Sequence, residues 1–346
     1  MADCRKLFTK PTITGLVIFK LFLLTTGCEL RDTYTTNPRT NFEALWKILD
    51  EHYCFFEYKQ VDWNEIYRKY NIQVSDTMNQ YVLFDFLGKM LSELKDGHTN
   101  LISSFNVARY WSWYEDYPSN FNEEIHKSYL GTDCLIAGGI KYRRLANNQV
   151  GYMYYGSFSN GVGENNLDYI FTHFKDCKGL IIDVRENGGG SLTYSDRIAS
   201  RFLEEKMTVG YIRHKNGPGH NDFSNLFPIE LSPSKRIRWM RPVVVITNRH
   251  SYSATNDFVN KMKILPHVII MGDRTGGGSG LPFNSELPNG WIVRFSASPI
   301  LDANKQDTEH GIDPDIQVGL TQADILRRKD TLIETAIQHL TKNTKE

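Results

Sequence analysis

Three side chains and one run of glycines are of the types that acyl transfer requires, and they lie far apart along the chain. Ser253, in Ser251-Tyr-Ser253-Ala254-Thr-Asn256, falls between an apolar β-branched run and a stretch with helical spacing. A serine at such a junction can present its hydroxyl at a sheet edge, where free backbone N–H groups and the positive end of the helix favour developing negative charge. The same position also suits a plain N-cap. Gly188, Gly189 and Gly190 let the backbone approach a ligand and aim N–H groups at it, as an oxyanion hole needs, although a tight structural turn is the other reading. Neither phosphate-loop pattern can be laid over them or over Gly276 to Gly280. His98, in Leu94-Lys-Asp96-Gly97-His98-Thr99, has the chemistry of a general base if it reaches a serine hydroxyl and is held by a third group, commonly a carboxylate. Glu309, in the polar turn from Glu309 to Asp315, is the candidate for that group.

The elements that must position these residues can be read from hydrophobic spacing. Phe42, Leu45, Trp46, Leu49, Tyr53 and Phe56 recur at helical intervals, as do residues around Trp63 to Tyr70 and from Tyr81 to Leu94. A small N-terminal helical domain over 41–98 follows, with its aromatics as core. Beyond it, Gly179 to Val184 and Pro242 to Thr247 are continuous apolar, β-branched runs, each followed by a polar loop and a helical pattern. Strands buried on both faces and alternating with helices predict an α/β layer structure over 99–346.

The two ends and the composition limit the function classes. Lys plus Arg and Asp plus Glu number 40 each among 346 residues, so no net field favours nucleic acid, and no basic block is interleaved with aromatics. Arg5, Lys6 and Lys10 precede an apolar stretch from Ile13 to Leu24 that ends Thr25-Thr-Gly-Cys28. That is the layout of a signal peptide over 1–28, with a lipoprotein-like ending that would attach lipid to Cys28 and tie an exported protein to a bacterial membrane. It is too short, and too interrupted by Lys20, for a bilayer span. A polar linker over 29–40 would follow. The five cysteines have no paired metal-type spacing, and no H-E-x-x-H pattern occurs, so neither a metal nor another cofactor is called for.

In this order the segments resemble the tail-specific, or carboxyl-terminal processing, serine peptidases. The matching pieces are Val61-Asp62-Trp63, Asp96-Gly97-His98-Thr99, Val150-Gly151-Tyr152 with Ser157-Phe158, Ile182-Asp183-Val184-Arg185-Glu186-Asn187-Gly188-Gly189, Ser251-Tyr252-Ser253-Ala254, Gly272-Asp273-Arg274-Thr275-Gly276-Gly277, and Glu309 to Asp315. The resemblance implies a crotonase-like core of ββα units, cleavage of polypeptides near disordered or apolar carboxyl ends, and Ser253 as nucleophile. It also implies an oxyanion hole from the N–H groups of Ala254 and Gly189, with Gly188 as the alternative donor.

Two departures bear on mechanism. Many members carry a lysine base in T-x-G-K-G, but here the stretch is Thr275-Gly-Gly-Gly278-Ser-Gly280, so Gly278 stands at the lysine position. The tricorn-like branch uses a histidine and a glutamate instead, which correspond to His98 and Glu309. Residues 100–149 leave no room for the PDZ module of many members, so substrate choice would pass to the helical domain and to Tyr110, Trp111, Trp113, Tyr114 and Tyr117. Activity would fall as pH drops through the His98 pKa. The alternatives are a non-catalytic peptide- or ligand-binding lipoprotein on the same fold and an acyl-CoA enzyme of the crotonase type. Oligomeric state is not written in the sequence.

Overall fold

The computed structural model describes residues 34–115 and 117–342, so the N-terminal apolar segment and Cys28 lie outside the described residues. The described residues open with three helices, α1 (Pro38–His52), α2 (Trp63–Asn71) and α3 (Gln80–Ser92). Each starts on a side chain that accepts a backbone N–H of the first turn: Asn37, Asp62 and Asn79. Because Asn37 caps a helix beginning at Pro38, the stretch expected to be linker up to residue 40 is already structured at its end.

Two sheets follow. The larger has seven strands in the order β13 (Ile316–Gln317), β10 (Val268–Gly272), β9 (Val243–Thr247), β6 (Gly179–Asp183), β5 (Val150–Tyr155), β4 (Ile140–Leu145) and β3 (Leu135–Ala137). From β13 to β5 the pairing is parallel, and β4 and β3 return antiparallel. Every residue of β6 and β9 is buried, which is why these two runs lack alternation. Their side chains divide by the two-residue period of a strand. Leu180, Ile182, Val243 and Val245 join one core with α5 (Glu164–His173), α6 (Leu192–Ala199) and α7 (Ala254–Lys263). Ile181, Val244 and Ile246 face the opposite way, onto Leu332, Ile333, Ala336 and Leu340 of α9 (Thr331–Lys342). The predicted α/β layering is therefore present, with both sheet faces covered.

The second sheet runs β2 (Val107–Arg109), β1 (Asn100–Ile102), β12 (Ile292–Leu301), β7 (Met207–Ile212) and β8 (Phe227–Leu231), with β11 (Gly280–Glu286) also paired to β12. The N-terminal helices do not close a core of their own. Phe42, Leu45, Leu83, Phe84 and Leu87 pack with Leu287, Trp291, Val293 and Phe295 of the β11–β12 region. Helices from the start of the chain and strands from near its end thus share one core. That long-range packing fixes the turn at residues 96–98 against the rest of the molecule. Two short helices, α4 (Glu123–Leu130) and α8 (Gln322–Leu326), complete the α-helices of the described residues.

Candidate active site

Ser253 stands between β9 and α7, at φ 60° and ψ −121°. These are the angles of the first central residue of a II′ turn, which glycine populates freely and an L side chain adopts only under strain of about 1–3 kcal/mol. The surroundings hold it there. The Ser253 N–H donates to the Gly277 carbonyl (2.8 Å), the Tyr252 N–H to the Asn187 carbonyl (3.1 Å), and the Ser253 carbonyl accepts from the Asp257 N–H (3.0 Å). The hydroxyl is thereby lifted off the helix axis instead of folding back as a cap, and no side-chain cap bond forms at α7.

His98 arrives from the turn between α3 and β1, and its Nε2 lies 2.9 Å from Ser253 Oγ. The two residues are 155 positions apart in sequence. Burial holds the imidazole well below its ordinary range, at about 4; the Asp96 charge opposes this shift, and the Arg294 and Lys59 charges add to it. The ring is therefore neutral near pH 7, and as the Nδ1–H tautomer it would accept the Ser253 O–H at Nε2. The Gly280 backbone faces the imidazole and favours its protonated form, yet Nδ1 makes no hydrogen bond of ordinary geometry.

Glu309 is in the same buried cluster, but its carboxylate is engaged elsewhere than at His98. Oε1 is 2.8 Å from Lys59 Nζ, and Oε2 accepts the Ser279 N–H at 2.8 Å. The direct carboxylate–imidazole bond expected from the sequence is thus replaced by a longer connection through Lys59 and Asp96. Asp96 Oδ1 accepts the His98 backbone N–H (2.8 Å), and its Oδ2 accepts Tyr53 O–H (2.9 Å) and lies 3.5 Å from Lys59 Nζ. One ammonium is shared by two buried carboxylates. Asp96 is held below its usual value, the attraction of Lys59 overcoming its burial, while Glu309 is pushed up to about 7, burial outweighing what Lys59 offers it. Lys59 itself stays charged, because the two carboxylates outweigh its desolvation. No sequence signal marked Lys59. It lies among Phe55, Phe56 and Tyr58, and only the aromatic company hinted that it is inside.

The lysine position of the other branch is closed physically. Gly278 has φ 75°, and a Cβ added there would come within 2.4 Å of the Tyr252 ring. That ring stacks on Trp113 (centroids 4.2 Å apart, planes 25°) and lies against His98 at 4.9 Å. Trp113, one of the aromatics proposed for substrate selection, is thereby a packing residue of the Ser253 turn, whereas Trp111 remains half exposed at the cleft.

The glycine run lies beside the serine. A Cβ at Gly189 would meet Ser253 Cβ at 2.7 Å and the Ala254 nitrogen at 2.9 Å, so only glycine fits. The Gly189 N–H donates to Asn187 Oδ1 (3.1 Å), while Gly188 borders open space. Asn187, fully buried, shapes this turn: its Oδ1 also accepts the Phe158 N–H (3.2 Å), and its Nδ2 donates to the Tyr155 carbonyl (2.6 Å). Among the described residues the Ala254 N–H, first of α7, donates to no backbone carbonyl. Two clefts, of about 240 and 660 Å³, meet at His98, Gly190, Ser253 and Arg294. An extended chain could cross Ser253 from one into the other.

Comparison with known proteins bears on this arrangement. The profile of peptidase family S41 matches residues 149–318, and that of the tricorn protease C1 domain matches residues 34–92. Tricorn protease of Thermoplasma acidophilum is 28% identical over 182 residues, covering 52% of this chain and 16% of that protein. Carboxy-terminal processing protease CtpB of Bacillus subtilis is 26% identical over 206 residues, covering 49% of this chain and 41% of that one. The chain thus spans less than half the length of these curated relatives. A crystallised protein of Parabacteroides merdae, described as a candidate peptidase, is 69% identical with a TM-score of 0.86, over 89% of this chain and 98% of that one. Solved structures at 12% and 16% identity share the fold alone, with TM-scores of 0.66 and 0.54. With its crotonase-like α/β core, this chain belongs to peptidase family S41, the tail-specific serine peptidases that its ordered motifs resemble.

Proposed function

We propose that this protein is a serine endopeptidase that cleaves exported or unfolded polypeptides, near their carboxyl ends, through an acyl-enzyme at Ser253. The observation that carries the reading is the 2.9 Å contact between His98 Nε2 and Ser253 Oγ at a strained strand–helix turn. His98 takes the hydroxyl proton as Oγ bonds to the substrate carbonyl carbon. The same proton then passes to the amine that leaves when the C–N bond breaks, and water reverses the sequence to release the acid. The oxyanion would be held by the Ala254 N–H together with that of Gly188, or of Gly189 once turned from Asn187. Glu309 acts at one remove, by holding Lys59 and the Ser279 backbone around the Asp96–His98 turn. A binding-only protein has no need of an imidazole held on a hydroxyl in a strained turn. Carboxy-terminal processing, the role for which the Bacillus subtilis relative is named, supports the site preference without identifying a substrate.

Incubation with an unfolded protein, read by mass spectrometry, should yield new chain ends, and the rate should be nearly constant from about pH 5.5 to 8. The base must be neutral. With its pKa near 4 it remains so until the pH falls through that value, so the mildly acid loss expected of an ordinary histidine moves to lower pH. An inflection at the usual histidine value, about 6.5, that persists in Glu309→Gln would show that His98 is solvated or is not the base. Far-UV circular dichroism is needed beside it. A folded-state pKa below the unfolded one makes folding less favourable as pH falls from about 6.5 toward 4, because the unfolded chain binds the proton first.

The N-terminal layout, Arg5 to Cys28, further supports export and lipid attachment at Cys28. Among the described residues no helix is long and apolar enough to cross a membrane. Intact-mass measurement of the membrane fraction should find the chain beginning at an acylated Cys28; an unmodified Cys28 on fully soluble protein would overturn the anchor.

A further inference from the structure

The larger cleft beside Ser253 is lined by two arginines, Arg109 and Arg294, and by no carboxylate. The sheet register explains how they come together. Asn100 of β1 lies directly opposite Arg294 of β12 on one side and Arg109 of β2 on the other. Directly opposed residues of antiparallel strands place their side chains on the same face, so Arg109, Asn100 and Arg294 form one row across three strands. The two arginine backbones are two strand spacings apart, about 10 Å. Among the described residues neither guanidinium has an ion pair; Arg109 lies over the Trp111 ring at 5.3 Å. Asn100 is only 7% exposed and spends its Nδ2 on the His98 carbonyl (2.8 Å), which leaves Oδ1 buried and without a partner. Two unneutralised cations therefore line a cleft that also contains Ser253, with the buried acceptor beneath them.

Arg294 is close to the chemistry. It borders both clefts, together with His98 and Ser253, and its charge contributes to depressing the His98 pKa. A guanidinium offers a planar fork of donors that matches a carboxylate, and such charge-assisted pairs strengthen in a partly desolvated cleft.

Building on the peptidase reading, we propose that this row is a carboxylate-binding subsite, in which Arg294, supported by Arg109, takes a substrate carboxylate within one or two residues of the scissile bond. The carboxylate comes either from an Asp or Glu side chain or from the free end of the substrate chain. In either case the sheet itself recognises an anionic group, a task for which residues 100–149 provide no separate module.

The test uses one cleavable peptide in four forms, with Asp or Asn beside the scissile bond and with a free or amidated carboxyl end. The parent protein should favour one carboxylate form over its neutral counterpart by about 10- to 100-fold in kcat/KM, mostly through KM. Preference that follows Asp identifies an acidic side chain, and preference that follows the free end identifies the terminus. Arg294→Ala should lose the preference by slowing the carboxylate substrates far more than the neutral ones, Arg294→Lys should keep part of it, and Arg109→Ala should weaken it. Equal rates for all four peptides with the parent, or a preference that survives Arg294→Ala, would overturn the subsite. Anisotropy of the same peptides, labelled and bound to the Ser253→Ala protein, separates the two readings. Carboxylate-dependent binding that Arg294→Ala removes, in a protein whose parent cuts nothing, would keep the subsite and sink the peptidase. Cleavage without discrimination in rate or binding would do the reverse.

Discussion

Replacing Ser253 by Ala is expected to lower kcat by on the order of 10⁶, and His98→Ala should do nearly as much. The double variant should be scarcely worse than either single one, because a base without its nucleophile has nothing to deprotonate. Non-additivity is the informative part. A merely structural role for His98 would give independent losses that multiply, whereas a shared proton transfer gives losses that coincide. The turn supplies a second readout. At φ 60° and ψ −121° Ser253 occupies backbone space suited to glycine. Ser253→Gly should therefore be as inactive as Ser253→Ala yet more stable than it, by about 1 kcal/mol, in thermal unfolding. Equal melting of the two would mean that the turn stores no strain. Cleavage lost in Ser253→Ala but retained in His98→Ala would leave the nucleophile in place and require another base.

How much of this was legible depends on what each residue contributes. The strands β6 and β9 were legible because burial on both faces selects unbroken β-branched runs, and their helices because one apolar stripe recurs every three to four residues. Ser253 was legible as a position, between strand and helix, though not as a strained one. Its angles are imposed from outside, by Gly277, Asn187 and a glycine at 189 whose Cβ would strike it. The meeting of His98 with Ser253 could not be read locally at all. It follows from β1 pairing with β12 nearly 200 positions later, and from α1 and α3 sharing a core with Trp291 and Phe295. For the same reason the helices read as a separate unit over 41–98 are joined to strands from near the other end of the chain.

Glu309 shows the opposite limit. Its polar, carboxyl-bearing turn was legible, but its partner was not, since pattern reading treats a lysine as a solvated charge and Lys59 is inside. The same bias hid Arg109 and Arg294: two unpaired arginines are unremarkable in sequence and become a site only once the register sets them on either side of Asn100.

Lys59 therefore carries the second large expected effect. Its ammonium is 2.8 Å from Glu309 and 3.5 Å from Asp96, with the three side chains almost wholly buried. Lys59→Met leaves two carboxylates without the cation they share, and breaking a buried pair by removing one partner costs about 3–5 kcal/mol. Denaturant unfolding should register that loss, and the sign of its pH dependence follows from Glu309. A carboxyl whose folded pKa, near 7, exceeds its unfolded one keeps a proton that the unfolded chain has released. Stability accordingly falls as pH rises from the unfolded value to about 7. Without Lys59 the Glu309 pKa climbs further, so the penalty of Lys59→Met should be larger at about pH 8 than at about pH 5. Adding Glu309→Gln to Lys59→Met should recover part of it, since one of the stranded charges is then gone. Equal penalties at both pH values would mean that Lys59 stabilises by packing against Phe55 instead of by charge. Catalysis separates the roles further. Lys59 is bound to carboxylates and stays charged, so it cannot be the base, and whatever activity survives in the folded variant should still disappear with His98→Ala. Activity independent of His98 in that background would transfer the base to another group and undo the assignment.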